Sequence, residues 1–125
     1  MKRMHHDLQV WQEGMALAKE IYGATKSFPK EEAFGVTSQM RRASVSIPSN
    51  LAEGASRGSN KEFLQFCIIA RGSLMELETQ VTLSKEFGYI DNPSNLLEKL
   101  NKVFALLNGL ITSLRRKTIK KQDQH

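Results

Sequence analysis

An all-α fold, an antiparallel up-down-up-down four-helix bundle, is what this 125-residue sequence predicts. Three observations predict it. Apolar residues recur at spacings of three and four in four separate stretches, no stretch alternates as a half-buried strand does, and short Gly/Pro breaks part the stretches. Helices joined by short connections pack as antiparallel neighbours. The whole chain, residues 1–125, reads as one domain, and 40% apolar content suits a folded core.

The first helix is expected over about residues 8–27, with Asp7 as its N-cap. Leu8, Trp11, Met15, Ala18, Tyr22 and Thr25 form one apolar row. Val10, Gly14, Leu17, Ile21 and Ala24 form a second beside it. Two adjacent rows make the wide face of a bundle helix. Trp11 on this face reads as core rather than as a base-stacking platform. Phe28-Pro29 ends the helix, because the residue before proline disfavours helical geometry. Pro29 then starts a short turn. Glu31 and Glu32 suit its positive end better than they suit acid–base chemistry.

The second helix is expected over 37–56, with Val36, Met40, Ala43, Ile47 and Leu51 on its buried stripe. Pro48 falls inside it and leaves the Ser44 carbonyl without its normal donor. A bend is expected there, with nearby Ser and Asn side chains serving the loose polar groups. No histidine or lysine stands nearby to activate a serine, and no Gly-x-Ser-x-Gly elbow exists.

Gly54 to Gly58 forms the next break. Ser59 and Glu62 make a capping box for a third helix over 60–87, whose stripe runs through Phe63, Phe66, Ala70, Leu74, Leu77 and Val81. Cys67 beside it reads as a small buried apolar group. Gly88 stops this helix. Asn92-Pro93 starts a fourth over 93–117, with Leu96, Leu100, Val103, Leu107, Leu110 and Leu114 on one row and Leu97, Phe104 and Ile111 on another. Residues 118–125 read as a frayed basic tail.

The formal net charge of +5 comes from 18 basic and 13 acidic side chains, and the excess is terminal. In an antiparallel bundle the start of the first helix, the turn between the second and third, and the end of the fourth share one end. That end collects Lys2, Arg3, Arg57, Lys61, Arg115, Arg116, Lys117, Lys120 and Lys121. Asp7, Glu53 and Glu62 oppose them. The other end holds Lys26, Lys30 and Lys85 against Glu31, Glu32, Glu86 and Asp91. A lopsided bundle of this kind attracts polyanions such as RNA or DNA.

The longest apolar run, Phe66 to Ala70, is too short to span a membrane. Met1-Lys2-Arg3 lacks the apolar stretch that would make it a secretory leader. With the lone Cys67, these features predict a cytoplasmic protein. No zinc-ligand set, Gly-rich phosphate loop or catalytic triad is visible. The sequence thus predicts no enzyme, no cofactor and no metal, and His5-His6 makes a poor metal site.

The chain resembles the four-helix-bundle proteins known as 23S rRNA intervening sequence proteins. The resemblance covers Leu8 to about Leu114. It rests on Val10-Trp11, Phe28-Pro29 with Glu32 and Phe34-Gly35, and Gln39 with Arg41-Arg42-Ala43. It continues through Ser46-Ile47-Pro48 with Asn50, Ala52-Glu53-Gly54, Gly72-Ser73 with Glu76-Leu77-Glu78, and Gly88-Tyr89. It implies a ring-shaped homopentamer and carries over no catalytic residues. A similar accessory protein of diversity-generating retroelements binds a reverse transcriptase and nucleic acid. An RNA- or DNA-binding bundle is therefore expected, with an adaptor that docks a partner protein, such as a reverse transcriptase, as the alternative. Arg42, Asn50 and Glu53 are expected to be structural, pairing across helices or subunits.

Overall fold

The computed structural model describes residues 3–123, with side chains as far as residue 120. Four helices make up the fold: α1 Gln9–Thr25, α2 Val36–Ala55, α3 Asn60–Glu86 and α4 Ser94–Asp123. Short 3₁₀ turns at Met4–Asp7 and Lys30–Glu32 precede α1 and α2. No strand occurs among the described residues.

Each helix packs on its neighbour in sequence, and α1 also packs on α4. Side-chain contacts give the directions. Lys102 pairs with Glu13 at 3.0 Å and Lys99 with Glu20 at 3.2 Å, so α4 descends as α1 rises. Arg41 Nε donates to Thr25 Oγ1, while Gly14 faces Ile47 and Pro48, which opposes α1 and α2. The hydroxyls of Ser46 and Ser73 meet at 2.9 Å, and Ser84 Oγ reaches Met40 Sδ at 3.4 Å, which opposes α2 and α3.

The core contains Leu17, Ile21, Met40, Ile47, Leu51, Leu74, Leu77, Leu100, Leu107 and Ile111, each almost without exposure. Cys67 lies among them, and burial pushes its thiol up to about 12. At Gly54 helices α2 and α3 come close: a Cβ there would sit 2.7 Å from Phe66 Cβ and 3.0 Å from Phe63 Cδ1. The turns after α2 and α3 use Gly58 and Gly88 at φ +85° and +81°, where a side chain would be strained. Ser59 caps α3 by accepting from the Glu62 N–H, one half of a capping box, and its hydroxyl donates to Glu62 Oε1 at 3.4 Å.

Several expectations are corrected. Asp7 does not cap α1: it closes the Met4–Asp7 turn, and Leu8 holds the N-cap position without a side-chain cap. Pro48 does lie inside α2, as expected, and the helix runs on past it. Ser44 Oγ donates to the Arg41 carbonyl, and Asn50 Nδ2 donates to the Ser46 carbonyl and hydroxyl. Of the tail expected to fray, residues 118–123 are helical, and 124 and 125 lie outside the described residues. α4 continues to Asp123, since lysine and arginine are good helix formers and cations suit a helix C-terminus. Thr118 supports this stretch by donating to the Leu114 carbonyl.

The largest correction concerns α1. Only its second row, with Val10, Gly14, Leu17 and Ile21, is buried, joined by Thr25 from the first. Trp11 is half-buried against His5 and His6, while Met15 and Tyr22 are exposed. With only α2 and α4 packed on it, α1 buries a single row in the core.

Candidate nucleic-acid interface

Three segments converge at one end of the bundle. Arg3, Met4 and His5 line a shallow cavity with Ala52, Ala55 and Ser56, which places the chain start against the end of α2. Met4 also borders Gly58, Ser59 and Asn60 of the α2–α3 turn, beside Lys61. The opposed pairing of α1 with α4 brings Arg115, Arg116 and Lys117 to this same end.

Arg3, Arg57, Lys61, Arg115, Arg116, Lys117 and Lys120 are all exposed. Successive helix residues turn by about 100°, so Arg115, Arg116 and Lys117 fan around α4 rather than forming one stripe. Two of the expected site residues cannot be placed in this way. Lys2 lies outside the described residues, and Lys121 is described by its backbone alone.

Arg57 differs from the rest. Its guanidinium donates to Glu53 Oε1 at 2.8 Å and lies 5.1 Å from the centre of the Phe66 ring. Within its own chain Glu53 pairs four residues on rather than across helices, because that spacing brings the two side chains together. Both ends of the pair are about half exposed, so it contributes little to stability.

The other two residues expected to be structural behave differently from each other. Asn50 bonds within α2, and Ser46 passes the link on to Ser73 of α3. Arg42 is exposed and borders a groove with Ser46, Ser73, Glu76 and Gln80. His5 is held below the ordinary histidine range, first by burial and then by the charges of His6 and Arg3.

At the opposite pole Tyr89 donates to Glu32 Oε2 at 2.8 Å and packs against Phe28. Phe34 on the loop before α2 is 99% exposed. Glu13 and Glu20 are occupied by α4 lysines along the flank. Among the described residues no group of three or more His, Cys, Asp and Glu could hold a metal ion. No helix is long and apolar enough to cross a membrane among the residues described.

One surface was read from the sequence as part of the buried face of the bundle. Trp11, Met15, Ala18 and Tyr22 of α1 form an open apolar groove with Val45, Pro48 and Ala52 of α2. The signal was present as the surplus row on α1, which periodicity alone assigns to the core.

The known proteins bear on fold and family. A crystal structure of a protein of unknown function from the S23 ribosomal protein family of Bacteroides thetaiotaomicron superposes with a TM-score of 0.60. The match covers 84% of this chain and 94% of that one, at 20% identity, and so supports the fold alone. No curated protein matches the chain. The family model for the 23S rRNA-intervening sequence protein matches residues 6–109. The four-helix chain belongs to the 23S rRNA-intervening sequence protein family.

Proposed function

We propose that this chain is a non-enzymatic, cytoplasmic helical bundle that assembles as a ring, expected to be a pentamer, and binds RNA or DNA through its basic end. The observation that supports this most is the convergence of Arg3, Lys61 and the Arg115–Lys120 segment on one pole. Exposed cations on three separate segments suit phosphates along a backbone, with no base-reading geometry required. A cyclic ring of five copies would present every basic end on one face and carry +25 in all at +5 per copy. Weak phosphate contacts would then act together.

The test is RNA binding across a salt series, followed by fluorescence anisotropy. Wild-type affinity should fall steeply as salt rises. The combined variant Arg115→Gln, Arg116→Gln, Lys117→Gln should bind more weakly with a shallower salt slope. Undetectable binding at low salt, or no change in the triple variant, overturns the reading.

The second reading is an adaptor that docks a partner protein such as a reverse transcriptase. The full exposure of Phe34 favours it, since an aromatic ring in water gains from a protein pocket. Capture from the native host after nuclease treatment separates the two readings, because a protein partner survives that treatment.

A further inference from the structure

The apolar groove between α1 and α2 has no cover from its own chain. Met15, Tyr22 and Val45 on its walls are 43%, 41% and 42% exposed. Met15 and Tyr22 are seven residues apart on one wall, and Val45 and Ala52 are seven apart on the other. Seven residues are about two turns, or ~10.5 Å along each helix. Lys19 also lines the groove, and the Arg41 guanidinium lies 4.6 Å from the centre of the Tyr22 ring. The Tyr22 end of the groove is therefore basic.

α3 carries a ridge with the same repeat. Ile68 and Met75 are 39% and 38% exposed and are also seven residues apart. Gly72 lies between them, and a Cβ added there would meet nothing within 4 Å. A glycine inside a helix costs about 1 kcal/mol relative to alanine. Nothing in its own chain makes use of the missing side chain, whereas a helix crossing closely from outside would. Beyond Met75 the ridge turns polar through Thr79, Thr82 and Glu86, with Glu78 beside it; both acids are exposed and make no ion pair among the described residues.

One copy cannot fill its own groove. The ridge lies toward the side of α3 from which Arg71 reaches Asn108 of α4, whereas the groove lies between α1 and α2. We propose that the Ile68–Gly72–Met75 ridge of one copy seats in the α1–α2 groove of a second copy. The incoming α3 runs parallel to α1, which sets Met75 level with Tyr22 and carries Glu78 toward Arg41, at the level of Thr25. The contact is head-to-tail, so each copy uses two different faces, and the assembly closes as a ring when the rotation from copy to copy completes a full turn. This rests on the oligomeric part of the reading above and assigns its interface.

The test uses one block on each face. Met15→Glu closes the groove and leaves the ridge intact; Met75→Glu does the reverse. Both positions are exposed, and circular dichroism with urea unfolding checks that the fold is kept. In sedimentation velocity the wild type should run as a closed multimer and each variant as a monomer. A one-to-one mixture should form a dimer, because it retains one intact groove and one intact ridge. Tyr22→Glu and Ile68→Glu provide a second pair with the same expected behaviour. A monomeric wild type overturns the assembly and this contact together, and leaves the groove to a different protein. A wild-type multimer with variants that still assemble overturns the contact alone. Variants that stay monomeric when mixed overturn the head-to-tail geometry.

Discussion

Lys102 Nζ lies 3.0 Å from Glu13 Oε1, and this pair fixes the level at which α4 passes α1. Lys102 is 55% exposed and Glu13 29%, so the pair aligns the helices more than it stabilises them. A double-mutant cycle with Glu13→Gln and Lys102→Met, read by urea unfolding, should give a coupling of about 0.2–1 kcal/mol that shrinks with added salt.

Gly54 is the least replaceable glycine. A methyl group there must displace Phe66 at its Cβ, which is fixed to the backbone. Gly54→Ala should destabilise the bundle by about 1–3 kcal/mol, the usual range for overpacking. Gly72→Ala, with open space around it, should be neutral or slightly stabilising in the isolated chain. Thermal unfolding of both variants makes the comparison.

The cations at the basic end should not be equivalent. Arg116 is exposed without an ion partner among the described residues, whereas Arg57 is held by Glu53. Arg57→Gln should lower RNA affinity less than Arg116→Gln. The triple neutralisation of Arg115, Arg116 and Lys117 should reduce the logarithmic salt slope by roughly 2–3 if each loses one phosphate contact.

Tyr89 is held above the ordinary tyrosine range, chiefly by the bond its hydroxyl donates to Glu32 and then by burial. Its folded value exceeds its unfolded one, so the contribution to stability is complete below the unfolded value. It is lost as pH rises through the folded value. Ultraviolet titration should show Tyr89 ionising above a model tyrosine, and Glu32→Gln should bring it down.

Cys67 should be inert toward a thiol reagent in the native protein. Burial both hides it and suppresses the thiolate, with the thiol raised to about 12. It should react promptly in urea. Rapid labelling of the folded chain would contradict the packing around α3.

Much of this fold is legible in the sequence because local chemistry and tertiary need agree there. Ser59 and Glu62 announce the start of α3, and Gly58 and Gly88 stand where the backbone turns left-handed. The failures have physical causes. Helical periodicity reports that α1 is apolar over a wide arc but not which part of the arc faces inward. Val10 and Leu17 went into the core and Met15 stayed outside. Residues 118–125 suggested a loose tail, yet lysine continues a helix readily and α4 runs to Asp123. Of the basic end, the sequence could show which segments meet but not that Arg57 is already tied to Glu53. That pairing depends on a rotamer choice, with Phe66 beside it.

α4 has 30 residues and α1 has 17, lengths of ~45 Å and ~26 Å. Leu114 is the last α4 side chain in the core, so the final turns overhang the bundle like an outrigger. Folding and electrostatics are then physically separable in one molecule. Trypsin clipping after Lys117 should leave a trimmed bundle that melts where the intact chain does, while its pull on a polyanion weakens.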